Sequence, residues 1–129
     1  MPRKASLQPT DVELEILRVL WQRGPSSVRD VHVVLQGTRG TGYSTTLKMM
    51  QVMHDKGLLR RDESRRPQVY RPALPEAQTQ ARIVDHVIQR VFGGSARKLV
   101  LRAIQSESVT PQELAEIRKL LRQTEGGKP

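Results

Sequence analysis

Cysteine is absent from the 129 residues. This excludes a disulfide scaffold, a Cys-ligated zinc or iron–sulfur site and a cysteine nucleophile. Aromatic residues are scarce: one Trp, two Tyr and one Phe, thin material for a large compact core. No apolar run approaches the ~20 residues that a membrane helix needs. The basic start, Met1 to Lys4, is not followed by an apolar stretch and a small-residue cleavage site, so it does not read as a secretory signal. The expectation is a cytoplasmic protein without membrane contact. Acidic charge is also short: 13 Asp and Glu face 22 Lys and Arg, a net +9. On so short a chain that surplus points to a polyanionic partner, although a merely basic protein would meet the same count.

Catalytic constellations are missing too. His32, His54 and His86 are the only imidazoles. None lies in a His-Glu-x-x-His pattern and no two stand four apart. His54-Asp55 has the form of a metal phosphohydrolase dipeptide, but the further ligands that chemistry needs are lacking. No serine has a nucleophile-elbow context. The expectation is no enzyme, no metal and no cofactor.

Helix signals are abundant. Thr10-Asp11-Val12-Glu13 is a capping box, followed by Leu14, Leu17, Leu20 and Trp21 on one face and a stop at Gly24-Pro25. Ser27 to Asp30 starts a second helix with Val28, Val31, Val34 and Leu35 as its apolar face. The run Gly37 to Gly42 should end it. With no P-loop lysine and no preceding strand, that run reads as a turn and not a phosphate cradle. Ser44 is expected to cap a third helix, whose Thr46, Met49, Met50 and Met53 form a stripe; Lys56-Gly57 closes it. The period then changes. Leu58 to Glu63 and Gln68 to Arg71 flank Ser64-Arg65-Arg66-Pro67, which reads as a β-hairpin with a basic tip.

Pro72 and Pro75 mark a break. Residues 1–75 hold 13 Lys and Arg against 7 Asp and Glu; residues 76–129 hold 9 against 6. A long helix should run from there to about Phe92, lined by Ala77, Ala81, Val84, Ile88 and Val91, with Val87 and Phe92 widening the stripe. A short helix over 96–104 carries Leu99, Leu101 and Ile104 and reads as core. A last helix begins at the capping box Thr110-Pro111-Gln112-Glu113, with Pro at its first position, and shows Leu114, Ile117, Leu120 and Leu121. The three helices carry more apolar stripe than so short a segment buries alone. A two-fold partner would complete the core, through Val84, Val87, Ile88, Val91, Leu101, Leu114, Ile117 and Leu121.

Three helices and a hairpin form a winged helix-turn-helix. The fold expectation is therefore mostly α: a winged helix over residues 7–74, then a three-helix dimerisation domain over 75–124. In such a motif the third helix enters the major groove. With its Met stripe buried, Ser44, Lys48 and Gln51 point outward, flanked by Thr45 and Leu47, and Leu47 could pack on a thymine methyl. Arg65 and Arg66 at the hairpin tip suit phosphate or minor-groove contact. Arg60, Arg61 and Arg71 on the strands fit a solvated ladder equally well. Arg3 and Lys4 form a loose basic arm. Tyr43 is the one aromatic near this surface, too few for a single-strand RNA binder that stacks bases. A nonspecific architectural DNA- or RNA-binding protein is the alternative, and an adaptor that has lost DNA affinity is a third.

The segments Leu14 to Trp21, Gly24-Pro25 with Val28 to Val31, Tyr43 to Met50, Lys56 to Leu59 and Val69 to Pro72 together resemble the penicillinase-repressor (BlaI/MecI/CopY) family of bacterial winged-helix repressors. The resemblance covers roughly residues 7–123. It implies an N-terminal DNA-binding domain, a C-terminal dimerisation domain and a homodimer that represses transcription from a palindromic double-stranded operator. The family's recognition positions fall here on Ser44, Thr45 and Lys48, and its wing on Arg65 and Arg66. Copper-responsive relatives carry a Cys-rich tail that this chain lacks. Resistance-linked relatives carry an Asn-Phe cleavage point where this chain reads Val100 to Ile104. The inducer is thus left open between a partner protein and a different protease.

Overall fold

The computed structural model describes residues 8–126; the basic arm at Arg3 and Lys4 lies outside them. Helix α1 spans Asp11–Arg23. Its capping box is complete: Glu13 N–H donates to Thr10 Oγ1 at 3.2 Å and Thr10 N–H to Glu13 Oε1 at 3.0 Å. The buried face is broader than the Leu14–Trp21 stripe. Ile16, Leu17, Val19 and Leu20 are buried, whereas Leu14 and Trp21 sit half-buried at its margin. The cause is that α1 packs on the next two helices and on the second strand of the hairpin together, so a wider arc of it leaves water. At Gly24 the chain takes φ +88° as its N–H caps the Leu20 carbonyl, a conformation that favours glycine.

Helix α2, Val28–Arg39, opens on a second capping box between Ser27 and Asp30. Its end falls inside the Gly37–Gly42 run, as expected. The helix continues to Arg39 and ends at left-handed Gly40. The Thr38 hydroxyl donates to the Val34 carbonyl at 3.2 Å, and Arg39 pairs with Glu15 at 2.6 Å; both hold the last turn. Helix α3, Tyr43–Asp55, starts one residue before Ser44. Its N-cap is Gly42, without a side-chain cap. The Gly42 carbonyl takes both the Thr46 N–H and the Thr46 hydroxyl, each at 3.1 Å, so Ser44 is already in the first turn. Thr46, Met50 and Met53 are fully buried, and Met49 is partly so.

Strands β1, Leu59–Asp62, and β2, Val69–Pro72, pair antiparallel, with Arg60 opposite Arg71 and Arg61 opposite Tyr70. Leu59 and Tyr70 turn into the core. Ser26 bridges to the free edge of β2 through reciprocal backbone bonds of 3.0 and 2.8 Å with Tyr70, which ties the hairpin to the start of α2. Beneath it, Lys56 Nζ donates to buried Glu13 at 2.8 Å. Burial alone would push the Glu13 carboxyl up. The bonds from Lys56 and Thr10, with the lysine charge, outweigh that and hold it below its ordinary value.

Helix α4 is Glu76–Arg90, ending before Phe92. The chain divides into two compact units between Val84 and Asp85, later than the proline break. The first turns of α4 explain the shift. Thr79 is buried and shares a small cavity of about 60 Å³ with Leu17, Leu58 and Leu74, and Trp21 Nε1 donates to the Leu74 carbonyl at 3.3 Å. Ala77 and Ala81, expected on the packed side, are exposed. A methyl buries too little area to set a helix's phase; Thr79, Arg82 and Ile83 set it here.

The second unit continues with α5, Ala96–Ile104, capped by the Ser95 hydroxyl, and α6, Pro111–Gly126, opened by the Thr110–Glu113 capping box. Among its described residues none is fully buried. The expectation that α5 is core is not met within one chain: Leu99 and Ile104 are half-buried and Leu101 is exposed.

Candidate nucleic-acid interface

The hydrophobic stripe of α3 fixes which side chains face outward. Once Thr46, Met50 and Met53 are buried, the 3.6-residue period leaves Ser44, Thr45, Lys48 and Gln51 exposed. Leu47 is half-buried, seated against the core at one edge. Tyr43, at the first position of α3, is 43% exposed.

Between the start of α2, the outer side of α3 and the hairpin tip lies a groove of about 820 Å³. Tyr43, Leu47 and Gln51 line one side; Arg65 and Arg66 line the other. The structure therefore brings together five of the eight sequence-predicted DNA contacts. Ser44, Thr45 and Lys48 are not part of that lining; they occupy the adjoining exposed surface of α3. Among the described residues Lys48, Arg65 and Arg66 take part in no ion pair.

The hairpin turn is held by its own polar groups. Asp62 Oδ1 accepts from Ser64 N–H at 3.0 Å and from the Ser64 hydroxyl at 2.6 Å. Those two bonds, with the nearby charges of Arg65 and Arg71, hold the Asp62 carboxyl below its ordinary value. The strand arginines separate by role. Arg61 donates to Tyr70 Oη at 3.5 Å and pairs with Glu63 at 2.8 Å, and both contacts raise its pKa. Arg60 and Arg71 stand opposite each other, exposed.

Sequence reasoning missed Arg29 and Gln68, which also line the groove. A signal for Arg29 existed. The Ser27–Asp30 capping box puts it at the second position of α2, where the side chain is solvent-facing and close to the start of α3. Gln68 carried no signal, because its place follows from how the hairpin folds back. No three acidic or histidine side chains among the described residues form a group able to hold a metal. No described helix is long and apolar enough to cross a membrane.

The arrangement can do one thing chemically: present a polar helix face and unpaired cations to a polyanion. Comparison with known proteins agrees in kind. The penicillinase repressor family model matches residues 9–123. A penicillinase repressor of Bacillus licheniformis is 24% identical over 88% of this chain and 89% of its own length. The methicillin resistance regulatory protein MecI of Mammaliicoccus sciuri is 20% identical over 87% and 91%. The transcriptional regulator BlaI of Mycobacterium tuberculosis is 28% identical over 91% and 85%. With a winged helix followed by further helices and a family match that reaches from residue 9 into the last of them, the chain belongs to the penicillinase repressor family.

Proposed function

We propose that the protein is a sequence-specific transcriptional repressor, not an enzyme, that binds a palindromic double-stranded DNA operator in the cytoplasm as a homodimer. The observation that carries this reading is the outer face of α3: Gln51 lines the groove with Arg65 and Arg66, and Ser44, Thr45 and Lys48 lie exposed on the adjoining surface. Base edges in the major groove are read by such hydroxyl, amide and ammonium groups, and Leu47 suits a thymine methyl. Arg65 and Arg66 suit phosphate contact, which positions the protein without reading sequence. Repressors named among the relatives support the regulatory role.

Dimerisation is supported by what the second unit leaves uncovered. Val91, Leu101 and Leu121 are exposed, Val87, Ile88, Leu114 and Ile117 are only half-buried, and Val84, the α4 residue that ends the first unit, is exposed too. Exposed apolar side chains on so short a unit call for a covering surface, and a second copy supplies one. Two joined heads then bind two half-sites with far higher avidity than one. The test is fluorescence anisotropy of the full chain on a labelled duplex at rising salt. Binding should weaken linearly in log–log form with a slope set by the number of phosphates neutralised. Failure to bind any duplex at low salt would refute the reading.

A further inference from the structure

Arg29 is the cation on the groove that the DNA-binding reading does not yet use. Its guanidinium carbon lies 6.0 Å from the centroid of the Tyr43 ring, over its face. The same ring is met edge-on by His32, with centroids 5.6 Å apart and planes at 83°. One α3 aromatic thus meets two side chains of α2. Arg29 and Tyr43 both line the groove, along with Arg65 and Arg66. Arg29 forms no ion pair among the described residues. Its neighbour Asp30 also lines the groove but makes no ion pair with it; that carboxylate accepts from Ser27 N–H at 3.1 Å, within the helix cap.

We infer that Arg29 binds a DNA backbone phosphate at the α2 rim of the groove, and that Tyr43 is its positioning residue. The inference rests on the DNA-binding reading above and adds a contact to it. A guanidinium is planar and presents paired donors that match phosphate oxygens. An arginine free in water loses rotamer entropy when it makes such a contact. Seated on an aromatic face by cation–π attraction, it has lost part of that freedom already, so less is lost on binding. Tyr43 can act this way because His32 restricts its own ring. The phosphate chain would then meet cations on both walls of the groove, Arg29 on one and Arg65 with Arg66 on the other.

The test is anisotropy of the full chain on a labelled duplex of mixed sequence, over a salt series. Circular dichroism melting checks that each variant folds; Tyr43 is half-exposed, so its truncation leaves the core in place. Arg29→Ala should weaken binding and lower the log–log salt slope by about 1 per bound chain. Arg29→Lys should keep the slope but bind more weakly. Tyr43→Phe keeps the ring, so Arg29→Ala should lower the slope by about 1 in that background too. Tyr43→Leu should weaken binding, and adding it to Arg29→Ala should cost nothing more, because one residue acts through the other. An unchanged slope in Arg29→Ala overturns the phosphate contact. A loss from Tyr43→Leu that persists in the Arg29→Ala background overturns the positioning role. Either result can arise while wild type still binds with a steep slope, which leaves the DNA reading standing; no wild-type binding at all would sink both.

Discussion

At the residue scale, the two classes of contact predict two kinds of loss. Lys48, exposed on α3, is expected to read a base; Lys48→Ala should cost about 1–3 kcal/mol on the operator and relax specificity at one position per half-site. Arg65→Ala should weaken operator and random duplex alike and lower the salt slope by about 1 per contact. Competition assays with both duplexes check this, and equal losses for Lys48→Ala would demote it to a phosphate contact. Glu13 makes a different prediction. Its folded-state carboxyl titrates below the ordinary 4.5. Its contribution is therefore complete above the unfolded value and disappears as pH falls through the folded one. Glu13→Gln keeps a capping-box acceptor but loses the charged bond to Lys56, at a cost of about 1–2 kcal/mol at neutral pH. Urea denaturation at pH 7 and pH 3 should find that gap closing in acid; an equal gap at both would remove the ion pair from the account. The exposed face of α3 was legible from its Thr46, Met50 and Met53 period. The Arg29–Tyr43 contact was not, because it joins two helices and no pattern within either one encodes it.

At the scale of elements, local chemistry carried most of the information. Capping boxes at Thr10 and Ser27 fix the first two helix starts, and the change of period after Gly57 marks the hairpin. Where expectation and structure part, a longer-range contact decides. Ser44 does not cap α3 because the Gly42 carbonyl already accepts from Thr46. The alanines of α4 do not face inward because Thr79 finds the cavity beside Leu17 and Leu58. Tyr70 shows how the hairpin is anchored. It is 2% exposed, bridges to Ser26 and meets His54 edge-on with centroids at 6.5 Å. Tyr70→Ala should cost about 3–5 kcal/mol, as for other buried aromatics, while Tyr70→Phe gives up only the long Arg61 contact and should cost under about 1 kcal/mol. Thermal unfolding of the full chain distinguishes these; equal losses would mean that the hydroxyl and not the packing anchors the wing.

At the scale of the whole molecule, the excess of +9 and the uncovered apolar faces of the second unit belong to one account. In the proposed reading, charge draws the chain to DNA and a second copy would set two reading heads at a fixed spacing. Light scattering at micromolar concentration should give the mass of two chains. Val91→Asp, at a position 69% exposed, should shift it to monomer without lowering the melting of the first unit, because a charge buried at an interface is unpaired there and solvated in the monomer. The two compact units divide inside α4, between Val84 and Asp85, where an unbroken helix leaves no mark in the sequence. The central claim, a dimer that reads sequence, is tested most directly by selecting bound duplexes from a random pool with the full chain. The account predicts enrichment of an inverted repeat whose half-sites lie one helical turn, about 10 bp, or a multiple of it apart. Retention of duplexes with no common motif, at equal affinity, would contradict it.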